Sequence, residues 1–198
     1  MRALATLKVA GLVALTALCS QRATAQFEKG DNVLGVGLGV GGGYDVGWKG
    51  NGVTQSPAFV FHFDHGMGDM GPGTWGLGGY VGFKTVKYDD RYLNYWNYDY
   101  RYTFLVIGGR FTWHWNEWHG VDKLDTYAGA MLAYKSVTFK DHTDYGPYGN
   151  LNTYRYSGSG VDLGVFVGAR YWFSDKFGAF GELGYGITWI QLGLSIKL

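Results

Sequence analysis

Apolar side chains alternate with small, charged or bulky ones along much of the chain, most regularly from Val161 to Phe173. In that stretch every second residue is apolar, and the residues between combine charge, glycine and large rings. Because successive side chains of a β-strand point to opposite faces, the stretch predicts a strand with one wholly apolar face. The other face has too many glycines and rings for a hydrated surface. This combination is typical of a transmembrane β-strand, with lipid outside and a filled lumen inside.

The same alternation recurs elsewhere, and we predict eight strands in all. The predicted strands are Asp31–Gly43, a strand opening at Pro57 and reaching Asp64, Trp75–Tyr88, Tyr102–Trp115, Leu124–Phe139, Val161–Phe173, Phe177–Gly186 and a last strand ending at Leu198. The second face of the first strand is built of glycines, which suits a narrow lumen crowded by the rings of neighbouring strands. An even number of strands without helices predicts an all-β fold, an eight-stranded antiparallel up-and-down transmembrane β-barrel.

Polar, glycine-rich segments separate the predicted strands. The longest are Tyr44–Gln55, Asp89–Asp99 and Lys140–Gly158, and a further connection is predicted at His65–Thr74. Short turns such as Ser174–Lys176 occur on the other side. Transmembrane barrels have this asymmetry, with short periplasmic turns and long outer loops. We therefore expect both chain termini on the periplasmic side.

Residues 1–25 are predicted to be a cleaved signal peptide. A basic start is followed by the short apolar run Val9–Cys19, and Ala23-Thr24-Ala25 supplies a small-residue cleavage site. The leucine before Cys19 disfavours a lipoprotein signal there. The barrel domain is then 26–198, and the protein is expected in the cell outer membrane.

Removing the leader changes the charge of the chain. Arg2, Lys8 and Arg22 leave with it, so the 17 basic residues become 14 against 16 acidic ones. The single cysteine leaves as well, so no disulfide stabilises the mature chain. No basic patch remains that indicates nucleic-acid binding. No apolar run of the mature chain is long enough for a transmembrane helix.

Aromatic residues make up 18% of the chain and gather where the predicted strands end. Amphipathic rings favour membrane interfaces, so we predict two aromatic girdles. Their members are Trp75, Trp113, Trp115 and Trp172 at one edge and Tyr88 and Tyr100 at the other. A soluble barrel of the lipocalin type is the alternative fold. It does not need outward valines and leucines on every strand.

The last forty or so residues resemble a known family. Two segments are similar to parts of the small outer-membrane barrels of Gram-negative bacteria, the OmpA-like and OmpX-like proteins. The penultimate hairpin of that family resembles Val167-Gly-Ala-Arg-Tyr-Trp-Phe-Ser-Asp-Lys-Phe-Gly-Ala-Phe-Gly-Glu-Leu-Gly-Tyr-Gly. Its C-terminal insertion signal resembles Leu192-Gly-Leu-Ser-Ile-Lys-Leu. The resemblance implies outer-membrane lipids as partners and recognition of the C-terminal strand by the barrel-assembly machinery. The family usually ends in an aromatic residue, whereas this chain ends in Leu198.

Charged residues on the second faces should point into the lumen. They are Lys84, Arg110, Lys135, Asp162, Arg170 and Glu182. Eight strands leave room for side chains and little else, so an unpaired charge there would be costly. We predict a charge network of Lys84, Arg110, Arg170 and Glu182. Within it Glu182 pairs with Arg170 of the neighbouring strand, with Arg110 or Lys84 as further members.

Two other constellations are weaker. His62, Asp64 and His65, with Asp69 nearby, are candidate metal ligands, but His65 does not share the face of the first two, so we predict no metal. Ser136, Asp141 and His142 are the one candidate set for a lipid-modifying enzyme at the outer rim, but strand geometry does not bring them together. We predict neither a catalytic site nor a cofactor.

The predicted function is structural, or surface interaction through the long outer loops with an extracellular ligand that the sequence does not identify. A narrow porin-like channel for ions or small solutes is the alternative, and a lipid-modifying enzyme is the third hypothesis. The channel differs from the first function in conductance, and the enzyme differs from both in its effect on membrane lipids.

Overall fold

The computed structural model describes residues 26–42, 52–92, 96–141, 155–185 and 188–198. The predicted leader and parts of the three predicted long loops lie outside these ranges. The described strands are β1 (Asn32–Val40), β2 (Val53–Gln55), β3 (Ala58–Met70), β4 (Gly73–Tyr92), β5 (Trp96–His114), β6 (Leu124–Asp141), β7 (Arg155–Trp172), β8 (Phe177–Tyr185) and β9 (Ile190–Lys197).

The strands form one closed antiparallel ring. β1 pairs with β3, each later strand from β3 to β9 pairs with the next, and β9 pairs back with β1. Closure removes open sheet edges around the ring. The short strand β2 pairs with β4 alone and continues the line of β3. The ring therefore has eight strand positions, which we call staves; β2 and β3 together form the second, and each other strand forms one. The predicted all-β barrel is confirmed.

A proline interrupts the second stave. Pro57 has no N–H to donate to a neighbouring strand. Its neighbour Ser56 compensates, because the Ser56 N–H donates to the carbonyl of Thr85 and the Thr85 N–H donates to the Ser56 hydroxyl, at 2.9 and 3.0 Å. The break therefore leaves β2 attached to the barrel rim.

Two predicted connections are wrong in extent. Most of His65–Thr74 is strand, because β3 continues to Met70 and β4 starts at Gly73, which leaves a two-residue turn at Gly71–Pro72. Most of Asp89–Asp99 is likewise strand. Glycine and clustered polar residues suggested loops, but hydrogen bonds to the neighbouring strand override these local preferences. A register shift between Gly66 and Gly68 lets β3 absorb its irregular residues.

The staves differ in length at one end of the barrel. β4 to β7 have 18 to 20 residues each, whereas β1, β8 and β9 have 8 or 9. The end with Gln26, Leu198 and the short turns is here named the turn end, and the opposite one the loop end. β4–β7 extend past the short staves at the loop end. We call this extension the wall.

The two faces of the ring have opposite chemistry. Outward side chains are mostly apolar on every stave, and Val161 and Leu163 remain 74% and 69% exposed. Inward positions hold charged, polar and aromatic side chains that are buried. Within the described ranges, no helix is long and apolar enough to cross a membrane.

Residues 26–31 form a strap across the turn end. The Gly30 N–H donates to the carbonyl of Gly66 at 2.8 Å, and the Gly66 N–H donates to the carbonyl of Asp31 at 2.9 Å. The Lys197 ammonium of β9 reaches the Asp31 carboxylate at 2.7 Å. Phe27 is buried inside the barrel mouth. The strap therefore ties the first, second and last staves together.

Candidate functional site: the charged barrel interior

Glycines of β1 make room for the interior side chains. A Cβ on Gly35 would collide with the His62 ring, one on Gly37 would lie 2.9 Å from the Phe180 ring, and one on Gly39 would meet Thr188. The prediction that this face is left bare for side chains of other strands is confirmed.

Arg110 of β5 joins two acids across the lumen. Its Nη2 donates to Glu182 Oε1 of β8 at 2.8 Å, and its Nε lies 2.8 Å from Asp64 Oδ1 of β3. The Nε–H bond does not point at Asp64 Oδ1, so the contact with Asp64 is an ion pair without a hydrogen bond. The Tyr127 hydroxyl donates to the same Glu182 oxygen at 2.9 Å. The guanidinium also lies 4.4 Å from the centre of the Phe166 ring.

Arg170 of β7 is a second node with no exposed surface. Its Nη1 donates to Asp125 Oδ2 at 3.1 Å, its Nη2 donates to Asp64 Oδ2 at 3.3 Å, and its Nε donates to the Ser195 hydroxyl at 3.0 Å. Asp64 thus lies between the two arginines. Each arginine has acids on more than one stave, which is the arrangement that buried charges require.

His114 extends the network to the turn end. Its Nδ1 lies 2.8 Å from Asp125 Oδ1, and its Nε2 lies 3.1 Å from the Thr112 hydroxyl. The ring of Phe27, from the strap, stacks on His114 with ring centres 3.9 Å apart. The network therefore runs from Glu182 to His114, and the Phe27 ring covers the end of the network that faces the turn end.

Between the network and the loop end, the barrel interior is mostly apolar. A cluster of buried side chains lies toward the loop end and consists of Ala58, Val60, Tyr80, Val86, Phe104, Val106, Met131 and Ala133. Between cluster and network is a cavity of about 20 Å³, lined in part by Tyr80, Arg110 and Glu182. This volume suits about one water molecule. A wider cavity of about 320 Å³ lies at the turn end, beside the strap.

The structure places the four predicted network residues inside the barrel but pairs them differently. Lys84, Arg110, Arg170 and Glu182 are all buried. The predicted Glu182–Arg170 pair is wrong, since Glu182 bonds Arg110 and Arg170 bonds Asp64 and Asp125. Neighbouring staves do not guarantee contact, because long side chains reach across a narrow lumen to other staves.

Sequence reasoning missed Asp125 and gave Asp64 another role. Asp125 has the same inward parity as Tyr127, but it is only the second residue of β6, next to the turn that precedes the strand. Asp64 entered the sequence prediction only as a candidate metal ligand that shares a face with His62. Counting inward acids against inward arginines would have included both residues.

The predicted girdles are only partly on the outer face. Trp75 and Trp113 lie opposite one another there, and Trp113 stacks on Trp115 with centres 5.9 Å apart. Trp172 is wrong as a girdle residue, because it has the inward parity of Arg170 and is 2% exposed. The prediction that Tyr88 and Tyr100 belong to a girdle on the outer face is wrong as well.

Tyr88 and Tyr100 stack on one another at 5.9 Å and have the inward parity of Val86 and Phe104. They therefore lie on the inner face of the wall rather than on its outer face.

The candidate metal and enzyme residues do not converge. His62 is buried in the lumen, but His65 has the opposite parity and its Nδ1 lies 2.9 Å from Asn32 Oδ1. Across the described ranges, no group of three or more histidine, cysteine or acidic side chains is placed to hold a metal ion. Ser136 and Asp141 have opposite parity on β6, and His142 lies outside the described residues.

No protein-family model and no curated protein matches the chain. Among solved structures it is similar to the N-terminal β-barrel domain of Pseudomonas aeruginosa OprF, at 14% identity over 87% of this chain and 100% of that one, with a TM-score of 0.46. It is also similar to Ail, the attachment invasion locus protein of Yersinia pestis, in complex with the heparin analogue sucrose octasulfate. That match has 11% identity over 84% of this chain and 93% of that one, with a TM-score of 0.44.

Proposed function

We propose that this chain is an integral β-barrel of the bacterial outer membrane, with a lumen filled by side chains and a role in surface interactions. The observation that carries the proposal is the apolar outer face on every stave. Soluble monomers rarely expose contiguous apolar patches above a few hundred Å². A face of this kind around a closed ring suits lipid, in which backbone polar groups must be paired within the sheet.

The orientation follows from the connections. Short turns such as Gly71–Pro72 and Phe173–Lys176 lie at the turn end, together with Gln26 and Leu198. Barrels of the outer membrane carry their short turns on the periplasmic side. The wall and the long connections then face the exterior.

A filled lumen is supported by the interior contacts. The ion network and the apolar cluster occupy successive levels, and the cavity between them has room for about one water molecule. Removing solvent from paired charges costs less when each has several partners, as Arg170 does. These contacts favour a structural interior over an ion path.

The surface role is supported by the wall. Strands that continue past the membrane level present backbone and side chains to the exterior, and a rigid sheet is a better binding platform than a loop. Assembly is expected to use the last strand, in which Leu192 and Leu194 are exposed and apolar. We propose this strand as the segment that the barrel-assembly machinery binds.

Heat modifiability tests the architecture. The protein refolded in detergent should migrate differently on a denaturing gel before and after boiling, because a closed barrel resists unfolding by the detergent alone. A single mobility at both temperatures would contradict the barrel.

Conductance in planar bilayers separates a filled lumen from the alternative narrow channel. We expect no stable open state. Discrete conductance steps of the refolded protein that recur with the same size at a given voltage would support the channel instead. Lipid mass spectra that change when the protein is deleted would support an enzyme.

A further inference from the structure

Three basic residues stand side by side on the outer face of the wall. Lys87 of β4 is the register partner of Arg101 of β5, and Arg101 is the partner of Lys140 of β6. All three have the outward parity of the exposed Phe83, Leu105 and Leu132. We call these three residues the basic stripe. The backbone register continues from Lys140 to Arg155 on β7.

Such a row is unfavourable without a partner of opposite charge. Directly opposed side chains have Cβ atoms about 4.5–5.5 Å apart, and like charges at that spacing repel. The Arg101 Nε is shielded from solvent and has no hydrogen-bond partner among the described residues. The acids Asp89 and Asp99 lie one outward position further along β4 and β5, away from the apolar band.

The order of residues below the stripe indicates what the partner is. Two positions closer to the barrel centre, Thr85, Thr103 and Thr138 face one another across the same strands. The next outward positions on β4 and β5 hold Phe83 and Leu105. Each layer is two residues, or about 7 Å along a strand, from the next.

This order, apolar then hydroxyl then basic, matches the order of chemistry in a lipid leaflet. Acyl chains meet apolar side chains, the polar linkage region meets hydroxyl groups, and anionic head groups lie furthest out. Basic side chains gain about 1 kcal/mol each near an anionic lipid surface, which is about a fivefold gain in binding.

We propose that the basic stripe binds the phosphate groups of anionic lipids in the outer leaflet. The inference rests on the proposed membrane location, and it adds a specific lipid site. A lipid is favoured over a soluble polyanion because the stripe is continuous with the apolar band on the same strands, so one molecule can use both. Guanidinium and ammonium groups are suited to phosphate oxygens.

The test uses the full mature chain refolded in a nonionic detergent. The probes are a fluorescent phosphatidic acid and the diacylglycerol with the same chains, so that they differ by the phosphate alone. Binding is followed by fluorescence anisotropy. The stripe variant K87Q/R101Q/K140Q is compared with K29Q/K123Q/K176Q, which removes the same charge from the turn end.

We expect the stripe variant to bind phosphatidic acid on the order of 100-fold more weakly, since three basic contributions are lost. The turn-end variant should stay within about twofold of the unchanged protein, and diacylglycerol binding should change in neither. Higher salt should weaken phosphatidic acid binding to the unchanged protein, because Lys87 and Lys140 are exposed and their charges are screened by salt.

Three results would overturn the proposal: equal loss in both triple variants, loss in neither, or full competition by millimolar inorganic phosphate, which would indicate a site for free phosphate. Heat modifiability of each variant shows separately whether the barrel has formed. If the triple variant does not fold, R101Q and K140Q alone should each weaken binding about fivefold, and no weakening in either would likewise overturn the proposal.

Discussion

Arg170 shows how a single residue is stabilised inside a barrel too narrow for bulk water. Each of its donor nitrogens has a partner on a different stave, namely Asp64, Asp125 and Ser195. Removing one member of a buried ion network leaves the others without compensation, which costs more than the network contributes as a whole. The two arginines should therefore be among the residues least tolerant of substitution.

The first prediction concerns the relative cost of losing two network residues. Arg170→Met leaves two buried carboxylates with fewer partners and should lower the free energy of unfolding by about 3–5 kcal/mol. Glu182→Gln keeps a side chain that still accepts hydrogen bonds and should cost about 1.5–3 kcal/mol. Urea unfolding in lipid vesicles measures both.

Lys176→Gln, an exposed change at the turn end, is the control and should shift the unfolding midpoint little. If Glu182→Gln proved as costly as Arg170→Met, the hub role assigned to Arg170 would be wrong.

At the scale of the strand, β1 contributes to packing by having no side chains over most of its inward face. Its inward glycines leave the volume that His62, Phe180 and Thr188 occupy. Close packing means that an added methyl group has to displace one of these neighbours, and such overpacking costs about 1–3 kcal/mol. Each inward glycine of β1 is therefore matched in volume to the side chain that packs against it.

The second prediction tests that match. Gly35→Ala should destabilise the barrel by about 1–3 kcal/mol, because the methyl group meets the His62 ring. Adding His62→Ala should make the alanine at position 35 far less costly than it is beside histidine. Gly160→Ala is the control, since its Cβ would meet no atom within 4 Å. Equal effects of the two glycine substitutions would show that backbone preference, not the ring, sets the cost.

Strand alternation was enough to predict the ring and its apolar outer side, because parity along an extended strand is a local property. It placed Glu182 and Arg170 inside, but it could not pair them, since contact depends on how far side chains reach across the lumen. Strand ends were predicted worst. Residues 65–70 carry loop-like glycines and charges, yet pairing with β4 keeps them extended.

The same limit hid the basic stripe. Lys87 falls near the end of one predicted strand, Arg101 just before the next and Lys140 in a predicted loop. Only the cross-strand register brings these distant positions together.

For the whole molecule, the strap matters because it connects staves that are far apart in sequence. It reaches β3 through Gly66 and β9 through Lys197, and it inserts Phe27 beneath the charge network. The contact with Lys197 cannot form before the first and last staves meet, whereas the contacts with Gly66 need only the pairing of β1 with β3. The full set of strap contacts is thus expected to be complete only when the barrel closes.

The third prediction follows from Phe27. Phe27→Ala removes a buried ring and should lower the free energy of unfolding by about 3–5 kcal/mol. Lys197→Gln should cost at most about 1 kcal/mol, because its ion pair with Asp31 is partly exposed. Thermal unfolding of the refolded protein measures both changes. An alanine at position 27 without effect would mean that the ring adds nothing to closure.

A strap whose contacts are complete only on a finished ring also makes the segment around Phe27 a reporter of maturation. Before β9 joins β1, a protease that cuts after aromatic residues would find Phe27 accessible; afterwards the same bond is buried at the barrel mouth. The fraction of chains that keep their first residues after a brief digestion would then count completed barrels. Folding intermediates in which β8 and β9 have not yet closed the ring would be trimmed, although the rest of their sheet is already in place.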